Sequence, residues 1–227
     1  MELRKIAVIR TDFPEKFGIP RQSGLAGTHA RIIFEEEYRK EEAFRGLEEY
    51  SHIWLIWEFS EAKREKWSPT VRPPRLGGNM RMGVFATRSP FRPNALGLSC
   101  VKLDRIEMTK KEGPVLHVTG ADILDGTPIY DIKPYLPYVD SHPEATSGFA
   151  GKVQDYELKV VDERNLLGEM EEAKRHALLE ILAQDPRPSY QNDPDRIYGM
   201  AYGGQDVKFR VDGNVLYLTE IINRNDI

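Results

Sequence analysis

Between Lys66 and Lys102 the sequence has no Asp or Glu, yet it holds Lys66, Arg72, Arg75, Arg81, Arg88, Arg92 and Lys102, a formal +7. The whole 227-residue chain stands at −4, so the remainder carries −11 (−4 minus 7). Five of the seven cations are Arg, whose planar fork grips phosphate or carboxylate bidentately. They are interleaved with Gly, Pro and Asn in RPPRLGGNMRMGVFATRSPFRPNALGLS. A one-signed, turn-rich segment of this kind suits an anion such as a nucleic acid backbone. Gly77-Gly78 permits close backbone approach to a ligand, and Pro73-Pro74, Pro90 and Pro93 stiffen the loops. The plainer reading is a set of surface arginines paired with acids elsewhere. It serves any single Arg equally well, but it fits the cluster less well because no acid is interspersed locally.

A second constellation runs from Leu124 to Tyr135, LDGTPIYDIKPY. Asp-Gly followed by Thr-Pro makes a tight turn between two strands. Asp131, Lys133 and Tyr135 then alternate, so they share one strand face. A carboxylate, an ammonium and a phenol there can order a polar ligand or move a proton. They can equally form a structural ion pair beside a tyrosine. Phe17-Gly18-Ile19-Pro20-Arg21-Gln22 is a Gly/Pro-fixed loop carrying a charge and an amide. Asp185-Pro186-Arg187-Pro188-Ser189-Tyr190 stops a helix, and Arg187 beside Tyr190 can also touch an RNA phosphate or base.

Other chemistries find little support. His29, His52, His117, His142 and His176 show no metal-ligand spacing, and the lone Cys100 sits in LGLSCVKL, the pattern of a packed thiol. There is no P-loop, nucleophile elbow or zincin pattern, and no GxGxxG between a strand and a helix. The overall acidity argues against a nonspecific nucleic-acid coat but allows a focused basic patch.

The elements that must position these residues are mostly short strands. Apolar or alternating runs occur around Ile6 and Val8, at 30–34, 53–59, 82–87, 96–103, 115–119 and 129–132, with Gly and Pro between them. A short helix is expected over 41–47. Strands that do not alternate with long helices point to a mainly β protein, an antiparallel sheet or barrel. The pattern changes near residue 150. A helix is expected over 163–184, with a broad apolar stripe and a stop at Asp185-Pro186. A hairpin follows, 207–211 and 215–218 about Asp212-Gly213-Asn214. This gives a domain over 1–150 and a small α+β appendage over 151–227. No apolar run is long enough to span a bilayer, and no secretory leader pattern opens the sequence, so cytoplasmic residence is expected.

Four stretches, KFGIPRQSG, EEYSHIWLIWEFS, the arginine-rich run and DILDGTPIYDIKPYLPYVDS, together resemble the TsaA-like β-barrel family, also called TrmO. LAQDPRPSY is similar to the C-terminal region of that family. The resemblance implies a single-sheeted antiparallel β-barrel that binds S-adenosylmethionine and acts as a homodimer; the histidine spacing leads to no metal being expected. It implies methylation of the exocyclic nitrogen of threonylcarbamoyl-adenosine next to the tRNA anticodon. Carried over by motif, the cofactor pocket would comprise Pro20, Arg21, Gln22, Ser60, Glu61, Arg88, Leu98, Leu124, Asp125, Gly126 and Thr127. Arg72, Arg75, Arg81 and Arg92 would grip the anticodon loop or the threonyl carboxylate, with Arg187 and Tyr190 as further RNA contacts. Asp131 and Tyr135 are the candidates for a catalytic base. The alternatives are a non-enzymatic barrel that binds structured RNA, and a methyltransferase of the same fold with a different acceptor.

Overall fold

Strands whose apolar residues recur at every second position can bury one face only by closing on themselves or on a partner layer. Both solutions occur in this chain. A computed structural model describes residues 2–62, 66–73, 80–153, 156–188, 191 and 193–224. Six strands form a closed antiparallel barrel in the order β1-β2-β7-β6-β3-β8. They are β1 (Ala7–Thr11), β2 (His29–Phe34), β3 (His52–Glu58), β6 (Leu96–Thr109), β7 (Gly113–Thr119) and β8 (Pro128–Pro134). Between β3 and β6, β4 (Thr70–Val71) and β5 (Met82–Gly83) make a two-stranded ribbon inside the arginine block. The barrel core alternates as the sequence does: Ile53, Leu55 and Trp57 of β3 point inward with Val101 and Leu103 of β6 and Leu116 and Val118 of β7.

The second unit is a four-stranded sheet in the order β10-β11-β12-β9, built from β9 (Lys159–Val161), β10 (Tyr198–Tyr202), β11 (Gln205–Asp212) and β12 (Val215–Asn223). The helix α2 (Glu172–Ala183) covers it with Ala177, Leu178, Ile181 and Leu182. A four-residue helix, α1 (Pro137–Asp140), precedes this unit. Among the described residues no helix is long and apolar enough to cross a membrane.

The two units share one segment. Phe13 and Ala26, from the loop between β1 and β2, are buried in the core of the C-terminal unit, and Phe17 and Ile19 pack against it. Gly18 takes φ +93°, and a Cβ there would overlap the Met200 side chain. The loop bearing Pro20, Arg21 and Gln22 is thereby fixed between barrel and appendage.

Several expectations need correction. The helix expected over 163–184 begins only at Glu172. Asp162 accepts hydrogen bonds from the backbone N–H groups of Leu166 (2.8 Å) and Leu167 (3.0 Å), and Asn165 has φ +52°. A side chain satisfying those amides competes with the helical ladder. Leu166, Leu167 and Met170 still reach the core, so their spacing reflected burial rather than helix. Over 41–47 the chain makes two 3₁₀ turns, Glu41–Phe44 and Leu47–Glu49, separated by Gly46 at φ +86°. The strand expected over 82–87 ends at Gly83, after which Val84–Ala86 forms a 3₁₀ turn. β9 and β10 were not foreseen.

Candidate active site

An open cleft of about 2610 Å³ is lined by barrel residues, by the β1–β2 loop, by the arginine block and by α2. Its floor is a polar relay. The Trp57 indole N–H donates to Ser99 Oγ (2.9 Å), and the Ser99 hydroxyl donates to Asp122 Oδ1 (2.6 Å). Ser99 is buried at 1% exposure. One residue on, the Cys100 N–H donates to Ser23 Oγ (3.1 Å), which ties β6 to the β1–β2 loop. Above this floor, the Arg88 guanidinium donates to Gln22 Oε1.

Burial pushes the Asp122 carboxyl above the usual range for Asp, against smaller opposing effects from the Ser99 hydroxyl, its own N–H, the Arg88 charge and the Ser23 N–H. A carboxyl whose folded pKa is raised keeps its proton longer in the folded chain than in the unfolded one. Its burial therefore costs nothing at low pH and costs stability as pH rises through the folded pKa. Asp122→Asn keeps an acceptor for Ser99 and removes the buried charge. Thermal melts should show the variant gaining on the wild type by a margin that opens as pH rises above the ordinary Asp range, about 4, and then levels off. A margin that never opens, or that shrinks, would contradict the assignment.

Glu58 also lines the cleft and accepts from the Tyr130 hydroxyl (2.6 Å). Burial, then the bond to Glu58, then its charge push the Tyr130 phenol up to about 12, so it stays a protonated donor at neutral pH. Glu61 pairs with Lys16 at 3.0 Å.

Of the residues the motifs single out for a cofactor, the cleft gathers Pro20, Arg21, Gln22, Ser60, Glu61, Arg88, Leu98, Leu124 and Thr127. Asp125 and Gly126 are not in its lining. Asp125 instead accepts from Arg10 Nη1 (3.1 Å) and the Thr11 N–H (3.0 Å), so it props the turn that presents Leu124 and Thr127. Arg72, Arg81 and Arg92 line the cleft, with Arg92 donating to the Thr87 carbonyl at 3.1 Å. Arg75, Gly77-Gly78 and Tyr190 lie outside the described residues. Beside the arginines, Phe85 is 72% exposed and Trp67 51%, their ring centroids 6.1 Å apart.

Two groups fall elsewhere. Asp131 and Tyr135 are absent from the cleft lining. Asp131 pairs with Lys133 at 3.1 Å, and Tyr135 packs on Trp54 with centroids 5.7 Å apart, which is the structural alternative for that strand face. Arg187 is 6% exposed, with Nε on Asp185 Oδ1 (2.8 Å), Nη2 on Asp185 Oδ2 (3.0 Å) and Nη1 on the Gln191 carbonyl (3.4 Å). Every nitrogen of its guanidinium is engaged inside the protein.

Sequence reasoning missed Asp122, Ser99 and Trp57 as a unit. One signal was available: Asp122 interrupts Ala121 and Ile123, both fully buried. An isolated carboxylate in an apolar run calls for a partner or a function.

A family model for the tRNA-methyltransferase O N-terminal domain matches residues 8–141, and one for the TrmO C-terminal domain matches residues 158–224. The tRNA (adenine(37)-N6)-methyltransferase of Escherichia coli (strain K12) is 40% identical over 92% of this chain and 93% of its own length. The protein of the same name from Eikenella corrodens is 48% identical over 76% of this chain and 97% of its own. A crystal structure of TrmO from Pseudomonas aeruginosa superposes with a TM-score of 0.77 at 32% identity, covering 98% of both chains.

Proposed function

The chain belongs to the TrmO family of S-adenosylmethionine-dependent tRNA methyltransferases, and on that premise we propose that it methylates the exocyclic nitrogen of threonylcarbamoyl-adenosine beside the anticodon. One observation carries the reading. A single cleft joins the residues suited to the cofactor with three arginines of the basic block, Arg72, Arg81 and Arg92.

The donor set fits the cofactor. Arg88 and Arg21 offer cations for its carboxylate, Gln22 and Ser60 offer polar groups for ribose and adenine, and Leu98 and Leu124 offer an apolar wall. Bound there, S-adenosylmethionine would supply the methyl group, its C–S bond breaking as the C–N bond forms, with S-adenosylhomocysteine as the leaving group and the N–H proton passing to solvent. A carboxylate beside a sulfonium that is losing charge would hinder transfer, so Asp122 and Glu61 serve best away from it. Arg72 and Arg81 bind phosphate or the threonyl carboxylate, while exposed Phe85 and Trp67 offer stacking faces for unpaired bases of the anticodon loop. Turning out a base that already lies in a loop costs little. With Asp131 and Tyr135 away from the cleft, positioning of the acceptor supplies most of the acceleration.

We also propose a homodimer. Leu96 on β6 is 38% exposed at the cleft, an apolar position that a second copy would cover. Light scattering should find twice the 26.1 kDa chain mass, and Leu96→Asp should shift it toward monomer. A monomeric wild type would refute the dimer. For the reaction, labelled methyl transfer is compared on one tRNA with and without the threonylcarbamoyl group. Incorporation is expected on the modified tRNA, and equal incorporation on both would exclude the proposed acceptor.

A further inference from the structure

A buried charged pair with several hydrogen bonds lies away from the floor of the cleft. Asp185 and Arg187 are 7% and 6% exposed and joined by two parallel N–H···O bonds. The Tyr156 hydroxyl donates to Asp185 Oδ2 at 3.2 Å, and the Arg187 guanidinium lies 5.8 Å from the Tyr198 ring centroid. Asp185 adopts φ +53°, a left-handed conformation that costs a non-glycine residue energy unless its surroundings enforce it. The consequence is an orientation of backbone. Directly after α2 the carbonyls of Asp185 and Arg187 face Arg21 of the β1–β2 loop, and Arg21 Nη2 donates to them at 2.9 Å and 3.5 Å.

We propose that the Asp185–Arg187 pair is a positioning element for the cofactor. By locking the Asp185-Pro186-Arg187 turn, it holds the two carbonyls that anchor one arm of Arg21 and leaves the other nitrogens of that guanidinium directed by the loop. The inference rests on the reading that Arg21 faces S-adenosylmethionine. It assigns the appendage a part in cofactor affinity rather than direct RNA contact, and it explains why a strained backbone and a buried ion pair persist where an apolar plug would serve stability as well. On the other side of the loop Arg88 holds Gln22, and the Cys100 N–H holds Ser23, so Pro20–Ser23 is gripped from the barrel and the appendage alike.

The test is titration calorimetry with S-adenosylmethionine, together with tRNA binding, on Arg187→Lys, Arg21→Ala and the double variant. Lys cannot reproduce the bidentate fork. Arg187→Lys should weaken cofactor binding about tenfold and leave tRNA affinity within about twofold. The double variant should bind the cofactor no worse than Arg21→Ala alone, because the pair acts through Arg21. A merely structural role predicts additive losses instead. If Arg187→Lys binds cofactor normally while Arg21→Ala does not, the positioning role is wrong and the cofactor reading stands. If Arg21→Ala also binds normally, that reading fails and takes this one with it. Loss of tRNA affinity alone would restore Arg187 to RNA contact and overturn the proposal. Should Arg187→Lys not fold, Tyr156→Phe removes one bond to Asp185 and keeps the pair. It is expected to weaken cofactor binding about twofold to threefold, and unchanged binding would count against the proposal.

Discussion

Arg88→Ala is expected to weaken S-adenosylmethionine binding about 30-fold in titration calorimetry, the scale of removing one charge-assisted hydrogen bond from a partly dry cleft. Arg88 is the cation that reaches across the cleft. Its Nη1 holds the Gln22 amide, and its charge opposes the rise in proton affinity that burial imposes on Asp122. Removing it does three things together. On the proposed reading the cofactor loses a partner for its carboxylate; the Gln22 side chain also loses its anchor, and Asp122 the cation that offsets its burial. The comparison is Arg81→Ala, in the same block and exposed like Arg88. That variant should leave cofactor affinity within about twofold, lower tRNA affinity, and reduce the salt slope of tRNA binding by about one ion per phosphate contact. Equal effects of the two variants on cofactor affinity would contradict this division of labour.

That division was only half legible in the sequence. The arginine block announces an anion because its charge is one-signed over many residues, a property that needs no three-dimensional information. Charge alone does not separate a cation that grips the β1–β2 loop from one that does not. Both Arg72 and Arg88 sit in Pro- and Gly-rich turns, and only the fold puts Arg88 against Gln22, 66 residues away. The barrel strands were legible because inward residues alternate, and Ile53, Leu55 and Trp57 are buried as the pattern requires. The helix start was misread because apolar spacing reports burial, not backbone. Leu166 and Leu167 are packed in a turn held by Asp162. Arg187 shows the same limit from the polar side. Next to prolines and a tyrosine it reads as a surface contact, whereas Asp185, two residues earlier, folds back to saturate it. The isolated Asp122 was legible, but its pairing with Trp57 and Ser99 was not, since the three come from two neighbouring strands and a loop.

Gly97→Ala should be among the most damaging single-methyl additions in the barrel. Gly97 lies directly opposite Trp57 in the β3–β6 pairing, and a Cβ there would sit 2.2, 2.5 and 2.6 Å from three indole atoms. Contacts that short must be relieved by movement. The indole has little room to move, since its N–H is held by Ser99 at 2.9 Å and its ring packs on Phe59 with centroids 4.3 Å apart. Separating the two strands would break ladder bonds between β3 and β6. Overpacking of this kind costs roughly 3 kcal/mol, which in a chain of this size lowers the melting temperature by about 6–12 °C. Because the displaced ring is also the donor to Ser99, the bond from Ser99 to Asp122 is disturbed as well, and cofactor affinity should fall with stability. Trp57→Leu supplies the control. It opens space at the clash but leaves a cavity, so it destabilises alone, while the double variant should be more stable than the sum of the single losses. A Gly97→Ala protein melting within about 2 °C of wild type, or strict additivity with Trp57→Leu, would mean that the indole does not rest on Gly97. The floor of the cleft would then need a different geometry.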